Sequence, residues 1–445
     1  MKTKSFILAG LLAAVSLPPA FPAYAQEQAT INPVVQETPA TPALLVLDQA
    51  VAWALENSPA LGASSARADA ATASQSQAGV LPNPEISIEA ENIYGSGPYD
   101  GTSSAEYTYS VSQLVELPGK RGNRVRVADA EKTKTHYVRD AAGLDLIRDV
   151  TVAFAEVVAA QQEVTILEEE QKLATEVRDS VVAKVEAGKE PPIQKNKAEI
   201  ERTASQIALD RARRNLSAKQ QSLSSLMGGK VGTFIVAANS LPPLSQPQSL
   251  ESYRVRLDQT PDVKIIDTSV HQARAGLSLE KANAVPDPTL SFGIRDSRDN
   301  NAQAFVAGVS FPFPVFNRNS AGIERAGHDL NAAMLDQRGA QLSLEAVLTG
   351  VYGDFSSAYG EATTLKATVL PGAEEAFGVA REGYKAGKFG YLEVLDAQRT
   401  LFNARKQFNE AVLDYHRQRA TIERMTAIHA GQHNDKGNTN ETVKN

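Results

Sequence analysis

The sequence predicts a mainly α-helical chain with a small β part, built as two copies of one unit: helix, β-hairpin, long helical hairpin. Three observations carry this. Motifs recur at a spacing close to two hundred residues. Four short stretches alternate apolar and polar residues, the mark of a strand with two unlike faces. Two long stretches keep an apolar three/four spacing with almost no proline, the mark of helices that pack along one stripe.

The first element in order is a leader. "MKTKSFILAGLLAAVSLPPAFPAYAQ" opens on Lys2 and Lys4, runs apolar from Phe6 to Leu17 and reaches Ala23-Tyr24-Ala25 before Gln26. That is the pattern of a cleaved secretory signal, and its apolar run is well short of the ~20 residues a spanning helix needs. Residues 1–25 are expected to be removed and the mature chain exported from a bacterial cytoplasm, with 26–46 a flexible polar segment.

Composition narrows the class. None of the 445 residues is cysteine, so packing alone must hold the exported chain, no thiolate metal site exists, and lipidation at an N-terminal cysteine is excluded. No later run reads as apolar for 18 residues, so any membrane passage would have to use a β-barrel. The net charge of −7 is spread over interspersed acids and bases, which argues against nucleic acid as a partner. Aromatic residues are 6%, while alanine, glutamine, leucine and charged residues dominate, a balance that suits long, closely packed helices.

The duplication is read from paired motifs. "LENSPAL" (55–61) recurs as "LDQTPDV" (257–263), and "VLPNPEISIEAEN" (80–92) as "AVPDPTLSFGIRD" (284–296). "VSQLVELPGKR" (111–121) matches "VSFPFPVFNRN" (309–319), and Ala187-Gly188-Lys189 matches Ala386-Gly387-Lys388. The offset drops from 204 to 198 across the first pair of strands, so the first hairpin loop is six residues longer. The first unit then covers 47–228, a Gly/Pro/Ser-rich connector with one short strand 229–250, the second unit 251–428, and a polar tail 429–445.

Within each unit the helix (47–79, then 249–283) stops at Pro-x-Pro, because proline cannot continue it. Strands follow at about 85–93 and 105–117, then about 288–296 and 303–315. Ile86, Ile88 and Ala90 alternate with Glu85, Ser87, Glu89 and Glu91, and Tyr107, Tyr109 and Val111 with Thr108, Ser110 and Ser112. This pattern alone fits a small sheet lying on helices as well as strands of the ~9–11 residues that cross a bilayer. A helix over 119–186 would span about 100 Å, and 320–384 reads as a second, interrupted only by Pro371. Each turns, near 187–192 and 386–391, and returns as a further helix over 193–227 and 391–427.

No enzymatic chemistry is legible. His136, His271, His328, His416, His429 and His433 show no metal-ligand spacing, the Gly/Lys runs lack Walker spacing, and no serine sits in a nucleophile elbow. Neither a cofactor nor a bound metal is expected. Four strands cannot close a barrel, since the smallest transmembrane barrels use eight. Two chains would give eight strands with a filled interior, and three would give twelve with an aqueous lumen. A coiled-coil scaffold in the periplasm or at the cell surface is the competing class.

The motifs "AGVLPNPEISIEAEN", "VSQLVELPGKRGNRVRVADAE", "FPFPVFNRNSAGIERA" and "GYKAGKFGYLEVLDAQRTLFNARKQFNEAVLDYHRQRATIERMT" carry a resemblance. Over about 45–427 the chain resembles the outer membrane factors, the TolC-type exit ducts of tripartite efflux pumps, and most closely the outer-membrane subunits of cobalt–zinc–cadmium exporters. The resemblance implies a homotrimer, held in outer-membrane lipid by a twelve-stranded β-barrel continuous with a periplasmic α-helical barrel. Its partners would be a periplasmic membrane-fusion adaptor and an inner-membrane RND pump, and heavy-metal cations the cargo; drug, siderophore or protein export through the same architecture stays open. It also implies that Ala187, Gly188, Lys189, Ala386, Gly387 and Lys388 form tips where an adaptor docks, and that Glu393 and Asp396 form a periplasmic gate.

Chemistry supplies an ordinary account beside the gate. Acids are favoured in a first helical turn, and Asp396 could pair with Arg399 or Glu393 with Lys388. The first tip departs from the second, with Pro191-Pro192 at the Gly390-Tyr391 position and Gln194 and Lys197 at the two acidic positions. Gly188 and Gly387 are expected at positive φ. Pro118, Gly119, Lys120, Arg121, Pro314, Asn317 and Arg318 mark the bend from strand to helix; with Arg124 and Arg325, the cations read equally as a solvated basic rim.

Overall fold

A computed structural model describes residues 44–117, 119–229 and 234–428. The expected leader, Pro118, His429, His433 and the tail from 429 lie outside the described residues. The elements run β1 (Leu44–Leu45), α1 (Leu47–Asn57), α2 (Pro59–Ala78), β2 (Glu85–Glu91), β3 (Glu106–Leu114), α3 (Lys120–Glu186) and α4 (Pro192–Leu226). After β4 (Ile235–Val236) the order repeats: α5 (Leu250–Leu257), α6 (Pro261–Asn283), β5 (Thr289–Ser297), β6 (Ala302–Ser310), α7 (Ser320–Thr364), α8 (Leu370–Lys385) and α9 (Tyr391–Met425).

Four sequence expectations change. Each leading helix is split, because Pro59 and Pro261 start new helices at their first position and force Ser58 and Thr260 into extended backbone. The segment expected to be flexible through residue 46 ends in a strand: Leu44–Leu45 pairs parallel with Ile235–Val236, and buried Leu45 joins Phe234 and Val236 in the core. Finally, the long second helix passes through a π-helical stretch, Leu365–Val369, just before Pro371. A proline there lacks an N–H and crowds the carbonyl one turn back, and a widened turn relieves both. A fourth reading also yields: α3 holds one 18-residue stretch of mean hydropathy 1.3. Val150, Phe154 and Val157, on that helix, are fully buried against α1, Leu223 and Phe234, so they face the core.

The four-stranded sheet is antiparallel in the order β2-β3-β5-β6. Its hairpins share one register: Glu85 faces Ser112 in the first and Thr289 faces Ser310 in the second, the same shifts of 204 and 198 seen in the motifs. Between equivalent positions the first connection holds the six extra residues, 94–103 against 298–301. One face carries Ile86, Ile88, Tyr109, Phe292, Ile294 and Phe305; Ile86 is 80% and Phe305 94% exposed. The opposite face carries Glu89, Glu91, Glu106 and Thr108 around Arg295, whose guanidinium reaches Glu91 and Glu106 at 3.1 Å.

The helices bind the two units together. α3 packs along α4, α6 and α9, and α9 is laced to α3 by Arg405–Glu169 at 2.6 Å, Lys406–Glu170 at 3.0 Å, Arg417–Glu156 at 2.6 Å and Arg424–Asp145 at 2.8 Å. Arg424 also pairs with Asp262 of α6, so one guanidinium joins three helices. These pairs join α9 to α3 at four points between Arg405 and Arg424.

Candidate functional site: hairpin tips and strand-to-helix junctions

Both tips turn by one mechanism. At the end of α3, Gly188 (φ 70°) donates to the Val185 carbonyl at 3.0 Å and Lys189 N–H to Lys184 at 2.8 Å. At the end of α8, Gly387 (φ 72°) donates to Tyr384 at 3.1 Å and Lys388 N–H to Gly383 at 2.8 Å. These are matching Schellman caps, which satisfy the last carbonyls and need a residue comfortable at positive φ. The return helices then start differently. Pro191 is the extended cap of α4 and Pro192 its first residue, where a missing N–H costs nothing; Gly390 caps α9. Ala187, Gly188, Lys189, Ala386, Gly387 and Lys388 are all exposed.

The two tips lie side by side. Val181 and Ala198 of the first hairpin share a cluster with Phe377, Tyr384, Tyr391, Val394 and Leu401 of the second. Lys184 Nζ stands 3.4 Å over the Tyr384 ring and donates to the Tyr384 carbonyl at 3.2 Å. Arg399 of α9 reaches Glu201 of α4 at 2.6 Å. Sequence reasoning missed Lys184, Tyr384 and Glu201, because each acts across hairpins about two hundred residues apart.

Glu393 and Asp396 project from one exposed face of α9, opposite buried Tyr391, Val394 and Gln398. Neither forms an ion pair among the described residues, and Arg399, the expected partner of Asp396, is turned to Glu201 instead. Glu393 folds back over its own helix start, near Gly390, where the helix N-terminus favours a carboxylate. Burial pushes the neighbouring Tyr391 hydroxyl up, and the charge of Glu201 adds to the effect.

At the strand-to-helix junctions the cations have protein partners, and Arg121, Arg318 and Arg325 also stay exposed. Gly119 sits at φ 102° and caps α3. Lys120 pairs with Asp287 at 2.8 Å, with side chains only 11% and 14% exposed, and the same carboxylate accepts from the Leu117 N–H at 2.8 Å. Burial alone would raise the Asp287 carboxyl; Leu117 and Lys120 offset this and hold it below the usual range. Arg121 donates to the Gly79 carbonyl, and Arg124 to Ala78, Val80 and Glu116, covering the last carbonyl of α2 and the two that follow it. The second junction uses amides: Asn319, at φ 55°, caps α7, takes its N–H to the Asn317 side chain and donates to Glu280. Arg318 donates to the Pro314 carbonyl at 3.3 Å, and Arg325 meets Glu280 at 3.4 Å.

Taken together, these features define a class: a duplicated shaft of helical hairpins whose paired tips lie at one end and whose small sheet keeps an uncovered apolar face. The chain belongs to the outer membrane efflux protein family, which it matches over residues 51–229 and 253–427. It is 30% identical to the cobalt-zinc-cadmium resistance protein CzcC of Cupriavidus metallidurans, over 94% of this chain and 98% of the relative. It is 27% identical to the nickel-cobalt-cadmium resistance protein NccC of Alcaligenes xylosoxydans xylosoxydans, over 67% of each chain. Among solved structures, the outer-membrane channel OprN matches with a TM-score of 0.72 at 19% identity, covering 85% of this chain and 89% of that one. The outer membrane protein VceC of Vibrio cholerae matches at 0.71 and 17% identity, covering 85% and 95%. The structural matches establish the fold.

Proposed function

We propose that this chain is the outer-membrane exit duct of a tripartite efflux pump and passes heavy-metal cations outward without chemistry of its own. The observation that carries the reading is the sheet: one face apolar and uncovered, the other acidic, joined directly to paired helical hairpins. An apolar outer face suits lipid, and a polar inner face suits a wet lumen. In this reading the assembly is a homotrimer with twelve strands, a lumen wide enough for water and no open edge in the bilayer. The exposed tips dock a periplasmic adaptor, an inner-membrane RND pump supplies the energy, and Glu393 and Asp396 ring the pore as its gate. Metal cargo is supported by the resistance proteins to which the chain is similar.

Fractionation and tolerance test the reading together. The protein should sediment with outer membrane, require detergent and migrate as a heat-modifiable oligomer. Deleting it should lower tolerance to cobalt, zinc or cadmium while leaving drug tolerance unchanged. Recovery in the detergent-free soluble fraction would sink the duct, and loss of drug or siderophore export alone would overturn the cargo.

A further inference from the structure

We propose that the groove beneath the inter-repeat connector is a binding site for a small amphipathic organic cation, an apolar or aromatic body carrying one ammonium group. The groove lies on the wall of the helical shaft, apart from both the sheet and the tips, so its role is separate from the duct reading.

Its volume is about 630 Å³, within the range of small-molecule sites. α3 forms one side from Val158 to Glu169, a length of about 17 Å at the helical rise. α9 runs antiparallel along the other side from His416 to Arg405, and Leu370 and Glu374 of α8 close the Arg405 end. The connector residues Leu241-Pro242-Pro243-Leu244 line the remaining side.

The groove is held open without a ligand. The connector is pinned on either side of its two prolines: the Leu47 N–H donates to Ser240 Oγ at 3.1 Å, and the Ser245 N–H donates to the Tyr415 hydroxyl at 2.9 Å. That hydroxyl in turn donates to the Ser245 carbonyl at 3.1 Å. Proline fixes φ between these anchors, which keeps the strap from sagging into the space. Binding therefore need not order the wall first.

The two ends differ in chemistry. Val158, Val412 and His416 form the first, and burial keeps that imidazole uncharged by lowering it to about 4. At the second end Glu169 and Glu374 share one cation, Arg405, at 2.6 and 3.3 Å. Among the described residues these three are the charged groups lining the groove at neutral pH, and two carboxylates against one guanidinium leave a negative charge over. The looser Glu374 contact is the one an ammonium can take over while Arg405 stays on Glu169. The ammonium then gains charge-assisted hydrogen bonds, and its apolar body covers Phe408 and Val412. An anion would meet the uncompensated carboxylate instead.

Phenylbutylammonium and phenylbutyrate share one body and differ in the sign of the head, so they test the class directly. Saturation-transfer NMR on the full-length protein in deuterated detergent should give the cation a dissociation constant about tenfold or more below that of the anion. Glu374→Gln, at a side chain more than half exposed, should leave the fold intact and narrow the gap to about threefold or less. Arg405→Gln should act the other way and tighten the cation, because both carboxylates lose their partner. Uptake into detergent responds to neither substitution, so a signal unchanged in both variants overturns the site, as does no binding of either compound. Equal binding of the two compounds, or tighter binding of phenylbutyrate, overturns the cation class. If Arg405→Gln fails to assemble, Glu374→Gln alone decides. None of these results bears on the duct, which is tested by membrane fractionation and metal tolerance.

Discussion

Arg399 of the second hairpin lies 2.6 Å from Glu201 of the first, so the return helices of both tips are tied to each other near their starts. Arg399 is more than half exposed, so the pair contributes less than about 1 kcal/mol to stability. Its consequence is positional. Cutting it with Arg399→Gln should leave the melting temperature almost unchanged while freeing the tip, and single-channel conductance in planar bilayers should rise. An unchanged conductance with an unchanged melt would mean the tie does not restrain the tip.

Glu393 and Asp396 share an exposed face and are neutralised by no ion pair among the described residues. As a ring in a narrow pore, unpaired carboxylates would attract cations and repel anions. The Glu393→Gln, Asp396→Asn double variant should therefore reduce the potassium-over-chloride permeability ratio about threefold or more. Reversal-potential measurements in asymmetric salt read this directly. A retained ratio would place the two acids away from the conduction path.

Gly188 and Gly387 stand at φ 70° and 72°, and a methyl group at either would meet nothing within 4 Å. Any cost of Gly188→Ala or Gly387→Ala is therefore backbone strain, about 1 kcal/mol each. Asparagine tolerates this conformation better, so Gly387→Asn should recover much of the loss in denaturant unfolding. Equal costs for alanine and asparagine would show that the left-handed backbone is not what the turn requires.

Much of this architecture is legible in the sequence because its signals are local. Alternation places the strands, and shared Ala-Gly-Lys motifs place two identical caps. The paired offsets of 204 and 198 reappear as the strand register. Ser58-Pro59 and Thr260-Pro261 were also visible, but the helical pattern continues across them and hides the break. The two-residue strand at Leu44 was hidden for another reason: its partner, Ile235, is far along the chain and the run is too short to show a period. The same distance concealed Arg399–Glu201 and Lys120–Asp287, contacts that exist only once the two units lie together. For Glu393 and Asp396 spacing reveals the shared face, while the gate proposed for them would need neighbouring copies.

Lys120–Asp287 should be the most costly junction contact to cut. Lys120→Met leaves a nearly buried carboxylate with only the Leu117 N–H, and should destabilise by about 2 kcal/mol. Asp287→Asn puts at this position the amide that the first unit carries at Asn83, and should cost less. Since the Asp287 carboxyl is held below its usual range, its contribution is present above the unfolded pKa and is lost as pH falls through the lower folded value. The double variant should lose less than the sum of the two singles in denaturant unfolding, and strict additivity would show that the residues act independently.

His416 should give a second acid sensitivity, at higher pH. It is 6% exposed on α9, edge-on to Tyr415, and burial, helped by the Arg419 charge, lowers it from 6.5 to about 4. The nearby Glu423 opposes this shift without reversing it. Between these two values the unfolded chain binds a proton that the folded chain refuses. Stability is therefore full above about pH 6.5 and falls as pH drops toward 4, by at most about 3 kcal/mol. Carboxylates titrate in part of the same range, so the wild type alone cannot isolate the effect. His416→Gln removes this one proton and leaves the carboxylates in place. Across pH 7 to 4 the wild type should lose about 3 kcal/mol more than the variant. Parallel loss in both proteins would show that His416 meets water or a new acidic neighbour in the assembled protein, either of which restores an ordinary imidazole.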